Sequence, residues 1–366
     1  MIGIDVRMWT HPGIGRYLRE LTKHLLSNGT DERFVFLGDS TLCGEFSKRP
    51  DFRQARSKIY SLSEQWEIPR LTRDLDLLHV PHFNIPLLLD KPLVVTVHDL
   101  TYLHDTRAAV SRWARPYAAY FFRQLQKKAA AVLTVSEFTR RDLLTCFPKL
   151  NPDKVFVTYE AASPFFRKLD DPEWLGQSKK KYGIQEPYVL FVGSLRPHKN
   201  IPALINAMAS LRSKRKISHG LVLVGRCETV DAGLSDLISQ HSFVRVLGEV
   251  PDLELVALYN LAELFVLPSF REGFGLPAVE AMACGTPVAV SSAASLPEIV
   301  GDAGCLFDPH RVDALEEVIY NVLKDRELQK NMSKAGLERA KQFSWENTAR
   351  QTRRIYAQVL KESGSA

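Results

Sequence analysis

The chain has 366 residues, 45% apolar and 25% charged, with 20 Gly and 20 Pro; these values exclude disorder, collagen and a minimal disulfide scaffold, and the length suggests two domains. Its 48 basic against 42 acidic side chains leave a net charge of +6, which suits an anionic ligand or surface and is too small to imply nucleic acid. Five scattered cysteines (Cys43, Cys146, Cys227, Cys284, Cys305) form no C-x-x-C pair, which fits a reducing compartment and argues against a thiolate zinc site.

The N-terminal MIGIDVRMW alternates charge with apolar residues and lacks a signal-peptide core, and no stretch reaches 18 uninterrupted apolar residues; a cytoplasmic protein without a membrane span is expected. Short β-branched runs follow in order: MIGIDVRM, RFVFLG, LDLLHV, LVVTVHD, AAVLTVS and KVFVTY, separated by helix-length segments. A second series begins at YVLFVGS and continues through GLVLVG, FVRVLG, LFVLPS and TPVAVS. Strands alternating with helices in this way predict an α/β protein of two Rossmann-like, doubly wound parallel sheets. The polar stretch between the series places a domain boundary, giving an N-terminal domain at 1–170, a linker at 171–186 and a C-terminal domain at 187–343. Residues 344–366 read as a closing helix capped by Ser344, with Trp345, Ala349, Thr352 and Ile355 at helical spacing, packing back on the N-terminal domain.

In such sheets ligands bind beyond the carboxyl ends of the strands, so the residues just after each run carry the functional question. After the first strand, Gly13 and Gly15 precede a helix expected from about Arg16 to Leu26; glycines there let backbone N–H groups approach a phosphate, and they equally fit a tight turn without a ligand. No G-x-G-x-x-G follows either first strand, which argues against a nicotinamide enzyme. In the second series, Gly193 and Ser194 lead to Arg196 and Lys199, fixed cations suited to a diphosphate or, alternatively, charges of a solvated turn. Farther on, Glu272 lies in a loop with Gly273, Phe274, Gly275 and Leu276, and Glu280 on the helix that starts near Leu276. Two carboxylates eight residues apart can accept hydroxyls from different parts of one extended ligand, while the glycines expose amides; the alternative is a buried Glu280 bonded to its neighbours.

The stretch from Glu272 to Glu280, with EAMACGTPV after it, resembles the E-x7-E motif of the retaining glycosyltransferases of family 4, which have the GT-B fold of two facing Rossmann-like domains across a cleft. GIGRY at residues 13–17, TVHDL at 96–100, VSEFTRRDL at 135–143 and the loop at 193–200 are similar to the same family, in the expected order along nearly the whole chain. The resemblance implies that Lys199 contacts the donor diphosphate, Glu272 the donor sugar hydroxyls and Glu280 the nucleotide ribose. By the same resemblance Gly13 and Gly15 belong to the loop that closes on the phosphates, and His98 lies at the acceptor side of the donor sugar with Asp99 beside it. His98, Lys199 and Glu272 are then the catalytic set. Many members carry Arg directly after the loop glycine, where this chain has Ser194, so Arg196 is the arginine left for the diphosphate.

Cleaving a nucleotide-sugar bond needs fixed positive charge at the leaving group, which Lys199 and loop amides supply. No pair of carboxylates reads as the two of a retaining hydrolase, and the resemblance implies front-side attack instead. Asp74 and Asp76 match a D-x-D metal motif but precede their strand, at the end where ligands are not expected, so no metal and no cofactor is expected. Residues 79–86, with His79 and His82, read as an acceptor wall, although loop histidines of no function fit as well. Residues 111–130 carry Arg112, Arg115, Arg123, Lys127 and Lys128 with five aromatics and no acid, which suits either peripheral contact with an anionic membrane at the inner face of the cytoplasmic membrane or a helix packed on the sheet. The resulting expectation is a hexosyltransferase using a nucleoside diphosphate sugar, GDP-mannose before a UDP-hexose or a dTDP- or GDP-deoxyhexose, and a saccharide or lipid-linked acceptor, in cell-surface polysaccharide synthesis. A nucleotide-sugar epimerase and a silent membrane-surface binding protein are the alternatives.

Overall fold

The computed structural model describes residues 1–27, 32–104, 114–226 and 232–364. They divide into two compact units, Met1–Glu160 with Ser344–Ala366, and Ala161–Phe343. The first unit holds β1 (Ile2–Asp5), β2 (Phe34–Gly38), β3 (Phe52–Gln54), β4 (Leu77–Val80), β5 (Leu93–Val97), β6 (Ala129–Thr134) and β7 (Val155–Val157). They form one parallel sheet in the order β3-β2-β1-β4-β5-β6-β7. The second unit holds β8 (Tyr188–Val192), β9 (Gly220–Val224), β10 (Val244–Gly248), β11 (Leu264–Leu267), β12 (Val288–Ser291) and β13 (Cys305–Phe307), a parallel sheet ordered β10-β9-β8-β11-β12-β13.

The central strands β1, β4, β5, β8 and β11 are buried at every residue, because helices cover both faces of a parallel sheet. That is why they read as continuous apolar runs rather than as alternation. Of the four edge strands, β3 and β13 escape that reading: Phe52–Gln54 and Cys305–Phe307 are short and partly exposed, without the longer apolar run KVFVTY that marks β7.

The boundary falls at Glu160, ten residues before the expected 170, and residues 171–186 are not a linker. Asp171 caps the helix Pro172–Lys181 by accepting from the Trp174 amide, and Lys181 then reaches Glu254 at 2.6 Å on the helix Asp252–Leu261, where Tyr182 also bonds. Ser178 is its one buried residue, so a helix lying on the surface of the second unit has the polar composition of a linker.

In the first unit the helix Trp345–Glu362 packs on the helix Ile14–Leu26, burying Trp345, Ala349, Thr352, Ile355 and Tyr356. Beneath it runs a buried polar chain. His79 in β4 shares Nδ1 with the Tyr356 hydroxyl at 2.6 Å and Nε2 with Thr96 Oγ1 at 2.7 Å, and Thr96 in turn lies 3.0 Å from the Tyr17 hydroxyl. A neutral imidazole offers one donor and one acceptor, which two hydroxyls satisfy. Burial pushes His79 down to about 3, with the nearby His98 adding to it, and His82 is lowered likewise. As pH falls below about 6.5 the unfolded chain takes up protons that these two imidazoles refuse until about pH 3, so stability declines through that window. His79→Gln should lose less stability than the wild type between pH 7 and pH 5 by urea unfolding; equal losses would contradict a neutral buried His79.

Candidate active site

The order of the second sheet reverses between β8 and β11, and a doubly wound sheet opens its ligand crevice beyond the carboxyl ends of the strands at such a point. Residues 193–200 follow β8 and residues 268–275 follow β11, so the topology alone brings the two motif loops together. The Phe270 amide donates to the His198 carbonyl at 2.8 Å, linking them. Lys199 Nζ sits 2.6 and 2.8 Å from the two carboxylate oxygens of Glu272, and Ser269 Oγ donates to Glu272 Oε1 at 2.6 Å. The pair is mostly buried, with side-chain exposures of 14% and 12%. Ser295 fixes the loop from beneath, its hydroxyl shared by the carbonyls of Glu272 and Phe274 at 3.0 and 2.9 Å.

Three backbone devices hold this geometry. A Cβ on Gly225, at φ 142°, would lie 2.0 Å from the carbonyl oxygen of Gly193, so the end of β9 packs directly on the start of the lysine loop. Asn200, at φ 57°, turns the chain into the helix Ile201–Lys214 and anchors it through Nδ2 to the Pro309 carbonyl at 2.9 Å. Gly275, at φ 99°, turns the chain into the helix Leu276–Ala283, whose Ala278 amide donates to the Gly275 carbonyl at 2.9 Å.

Of the other expected donor groups, Ser194, Arg196, Gly273 and Leu276 are partly exposed on these loops, and Phe274 is buried edge-on against Phe343 at 5.5 Å. Glu280 is 1% exposed and accepts from the Tyr259 hydroxyl at 2.9 Å through Oε2. Its neighbour-bonded position is the alternative weighed from sequence.

In the first unit Gly13 is exposed, while Gly15 is buried where a Cβ would meet the Trp9 carbonyl oxygen at 2.4 Å. His98 follows β5; its Nδ1 lies 3.1 Å from Glu160 Oε1, its ring meets Tyr17 edge-on at 4.9 Å, and its buried Nε2 has no hydrogen-bond partner among the described residues. Asp99 caps the next helix by accepting from the Thr101 amide at 2.8 Å. His79 is not a loop residue: it lies inside β4, wholly buried and engaged by Thr96 and Tyr356, so it belongs to the core rather than to an acceptor wall. His82 is buried too, Nδ1 taking the Asn84 amide at 3.3 Å and Nε2 lying 3.3 Å from the Tyr60 hydroxyl.

One constellation has no counterpart in the sequence reading. Arg7, at the end of β1, bonds Asp5 at 2.6 Å and Glu64 at 2.9 Å; Asn84 Nδ2 donates to Glu64 at 2.5 Å, and the Tyr117 hydroxyl donates to Asn84. Burial opposes the Arg7 charge, yet Asp5 and Glu64 outweigh it and hold the guanidinium ionised. This network stands where the first sheet reverses, between β1 and β4. The signal for it was the charge set into the apolar run IDVR.

Asp74 forks with Arg53 at 2.6 and 2.7 Å and Asp76 meets the N-terminal amine. Among the described residues, His104, Asp142 and Cys146 stand within metal-ligand reach of one another, in the first unit and not on residues 193–200 or 268–275. Arg112 and Cys227 lie outside the described residues.

The family model for glycosyltransferase family 4 matches residues 12–162, and that for glycosyl transferases group 1 matches residues 176–339. The chain is 33% identical to the O-antigen chain mannosyltransferase B of Escherichia coli, over 94% of this chain and 95% of that protein. It is also 33% identical to the MMP alpha-(1->4)-mannosyltransferase of Mycolicibacterium hassiacum, over 74% of this chain and 66% of the relative. Among solved structures, Anabaena HepE in complex with UDP-glucose has a TM-score of 0.78 at 18% identity, covering 100% of this chain and 99% of that one. With the two reversed parallel sheets and the matched loops, these likenesses place the chain in glycosyltransferase family 4, with the Rossmann-like units of the GT-B fold.

Proposed function

We propose that the protein is a retaining, metal-independent glycosyltransferase that moves mannose from GDP-mannose to a saccharide or lipid-linked saccharide in surface polysaccharide synthesis. The observation that carries this reading is the Lys199–Glu272 pair on two loops at the reversal of the second sheet. Two relatives named mannosyltransferases, one of them for an O-antigen chain, favour mannose and a polysaccharide product. A UDP-hexose is the second reading, favoured by the UDP-glucose complex of a protein with the same fold.

In this reading the donor diphosphate replaces Glu272 at Lys199, and the carboxylate so released accepts hydroxyls of the transferred sugar. Glu280, one oxygen oriented by Tyr259, holds the ribose. Arg196, Ser194 and the amides at Gly273 to Gly275 add donors, whereas the Gly15 amide is already held by the His11 carbonyl at 2.8 Å. The bond from the anomeric carbon to the diphosphate oxygen breaks while that to the acceptor oxygen forms on the same face, and the departing oxygen takes the acceptor proton. Stabilising that leaving charge is the protein's largest contribution. His98, with one ring nitrogen fixed by Glu160, presents the other to the sugar, and His82 and Asp99 stand on the acceptor side. The protein works at the inner face of the cytoplasmic membrane.

Thermal shifts with GDP, UDP, dTDP and ADP, with and without Mg²⁺, test this. One nucleotide should stabilise the wild type without metal, by about 2.7 kcal/mol at 100 times its dissociation constant, and Lys199→Ala should lose the effect. A shift that needs Mg²⁺ contradicts metal independence, and no shift with any nucleotide favours a silent binding protein. Gly225→Ala, by pushing back the Gly193 carbonyl, should abolish the shift while leaving every proposed ligand group in the sequence.

A further inference from the structure

A groove of about 480 Å³ opens in the first unit, lined by Tyr60, Leu62, Gln65 and Leu87 and by Tyr117 and Tyr120 of the helix Ala114–Lys128. Its polar lining atoms are largely committed elsewhere. The Tyr60 hydroxyl pairs with His82, Tyr117 donates to Asn84, and Ser61 donates to the Lys58 carbonyl at 2.6 Å. The Gln65 amide takes the Leu87 amide at 2.5 Å and donates to the Ile85 carbonyl at 3.4 Å. A saccharide entering here would leave several hydroxyls without partners, which is costly, whereas a hydrocarbon chain would leave none. Tyr60 is held at φ 69°, a strained conformation for an aromatic residue, in a position that sets its ring against His82 and Tyr117.

The surroundings define the rest of the partner. Leu62 is 79% and Trp66 63% exposed, and Leu88 and Tyr120 are each about half exposed, an apolar density that marks an interaction surface. Arg123 and Lys127 follow Tyr120 at three and seven residues, on one face of the same helix, with Arg115 and Lys128 nearby along it. All four cations are exposed, the helix has no acid, and none of the four forms an ion pair among the described residues. Apolar side chains beside unpaired cations complement an anionic lipid surface.

We propose that this groove and its rim dock the first unit on an anionic membrane leaflet, with Leu62 and Trp66 entering the acyl region, one lipid chain lying in the groove and lipid phosphates meeting Arg123 and Lys127. This moves the membrane contact expected of residues 111–130 onto a surface shared with residues 60–66 and 87–88. It rests on the reading of the acceptor as lipid-linked, to which it gives a point of approach from the leaflet.

The test sediments the full chain with vesicles of phosphatidylcholine alone or with roughly 30% phosphatidylglycerol, at about 0.15 M salt, and reads Trp66 by comparison with Trp66→Phe. Binding should be at least tenfold stronger on the anionic vesicles, with quenching of Trp66 by lipids brominated in the acyl chain. The double variant Leu62→Ser/Trp66→Ser, altered only at exposed positions, should bind at least tenfold more weakly. Arg123→Glu/Lys127→Glu should lose the preference for anionic vesicles. Both should keep the wild-type melting temperature and nucleotide-induced shift, so failure of docking is distinguishable from failure of the donor site. Equal binding to both vesicles, unchanged binding by either double variant, no vesicle binding by a folded wild type, or a dimer that Leu62→Ser/Trp66→Ser dissolves would each overturn the proposal.

Discussion

The ion pair between Lys199 and Glu272 joins two loops 73 residues apart, and the geometry of the proposed donor site depends on it. Neither partner is well exposed, so removing one leaves the other short of solvation as well as of its partner. The surrounding structure is arranged to hold both ends: Ser269 on one carboxylate oxygen, Ser295 on the loop carbonyls, Asn200 and Gly275 at the helix entries, and Gly193 against Gly225 under the lysine loop. A cation and a carboxylate already placed and partly desolvated form a site that can exchange one internal pairing for two ligand pairings. A diphosphate suits the cation and sugar hydroxyls suit the carboxylate.

The first unit is held by different means. Its interior is threaded by two polar chains, Tyr17, Thr96, His79 and Tyr356 under the closing helix, and Asp5, Arg7, Glu64, Asn84 and Tyr117 at the reversal of the sheet. Buried polar groups stabilise a unique arrangement only when each has its partners. In these chains nearly every hydrogen-bonding group does, and the contrast gives His98 its interest: one ring nitrogen is fixed by Glu160 and the other, though buried, is not satisfied among the described residues.

Most of the fold was legible because it depends on local pattern. Continuous apolar runs such as YVLFV and LVVTV are what parallel strands covered on both faces require, and Ser344 before Trp345 marks a helix start through its own side chain. The helix Pro172–Lys181 was missed because it buries almost nothing, and β3 and β13 because they are short, partly exposed and not set in a longer apolar run. The two motif loops were legible because glycines, a lysine and two glutamates are confined to short segments. The partners that orient them were not: Ser295 lies 23 residues from Glu272, Tyr259 lies 21 from Glu280, and Glu160 lies 62 from His98. Such pairings are made by the sheet order, which no local spacing reveals. His79 shows the converse error, since a histidine beside a Pro-rich loop looked available, whereas its position within β4 turns it into the core.

The most direct test of the account is the anomeric configuration and rate of product formed from GDP-mannose with an acceptor saccharide, read by proton NMR, for the wild type and for Glu272→Gln. The account predicts an α-mannoside from the wild type, without added metal, and a rate lower by about two to three orders of magnitude in a Glu272→Gln variant that is still folded at the assay temperature. A β-mannoside, or full turnover by the folded Glu272→Gln variant, would contradict it.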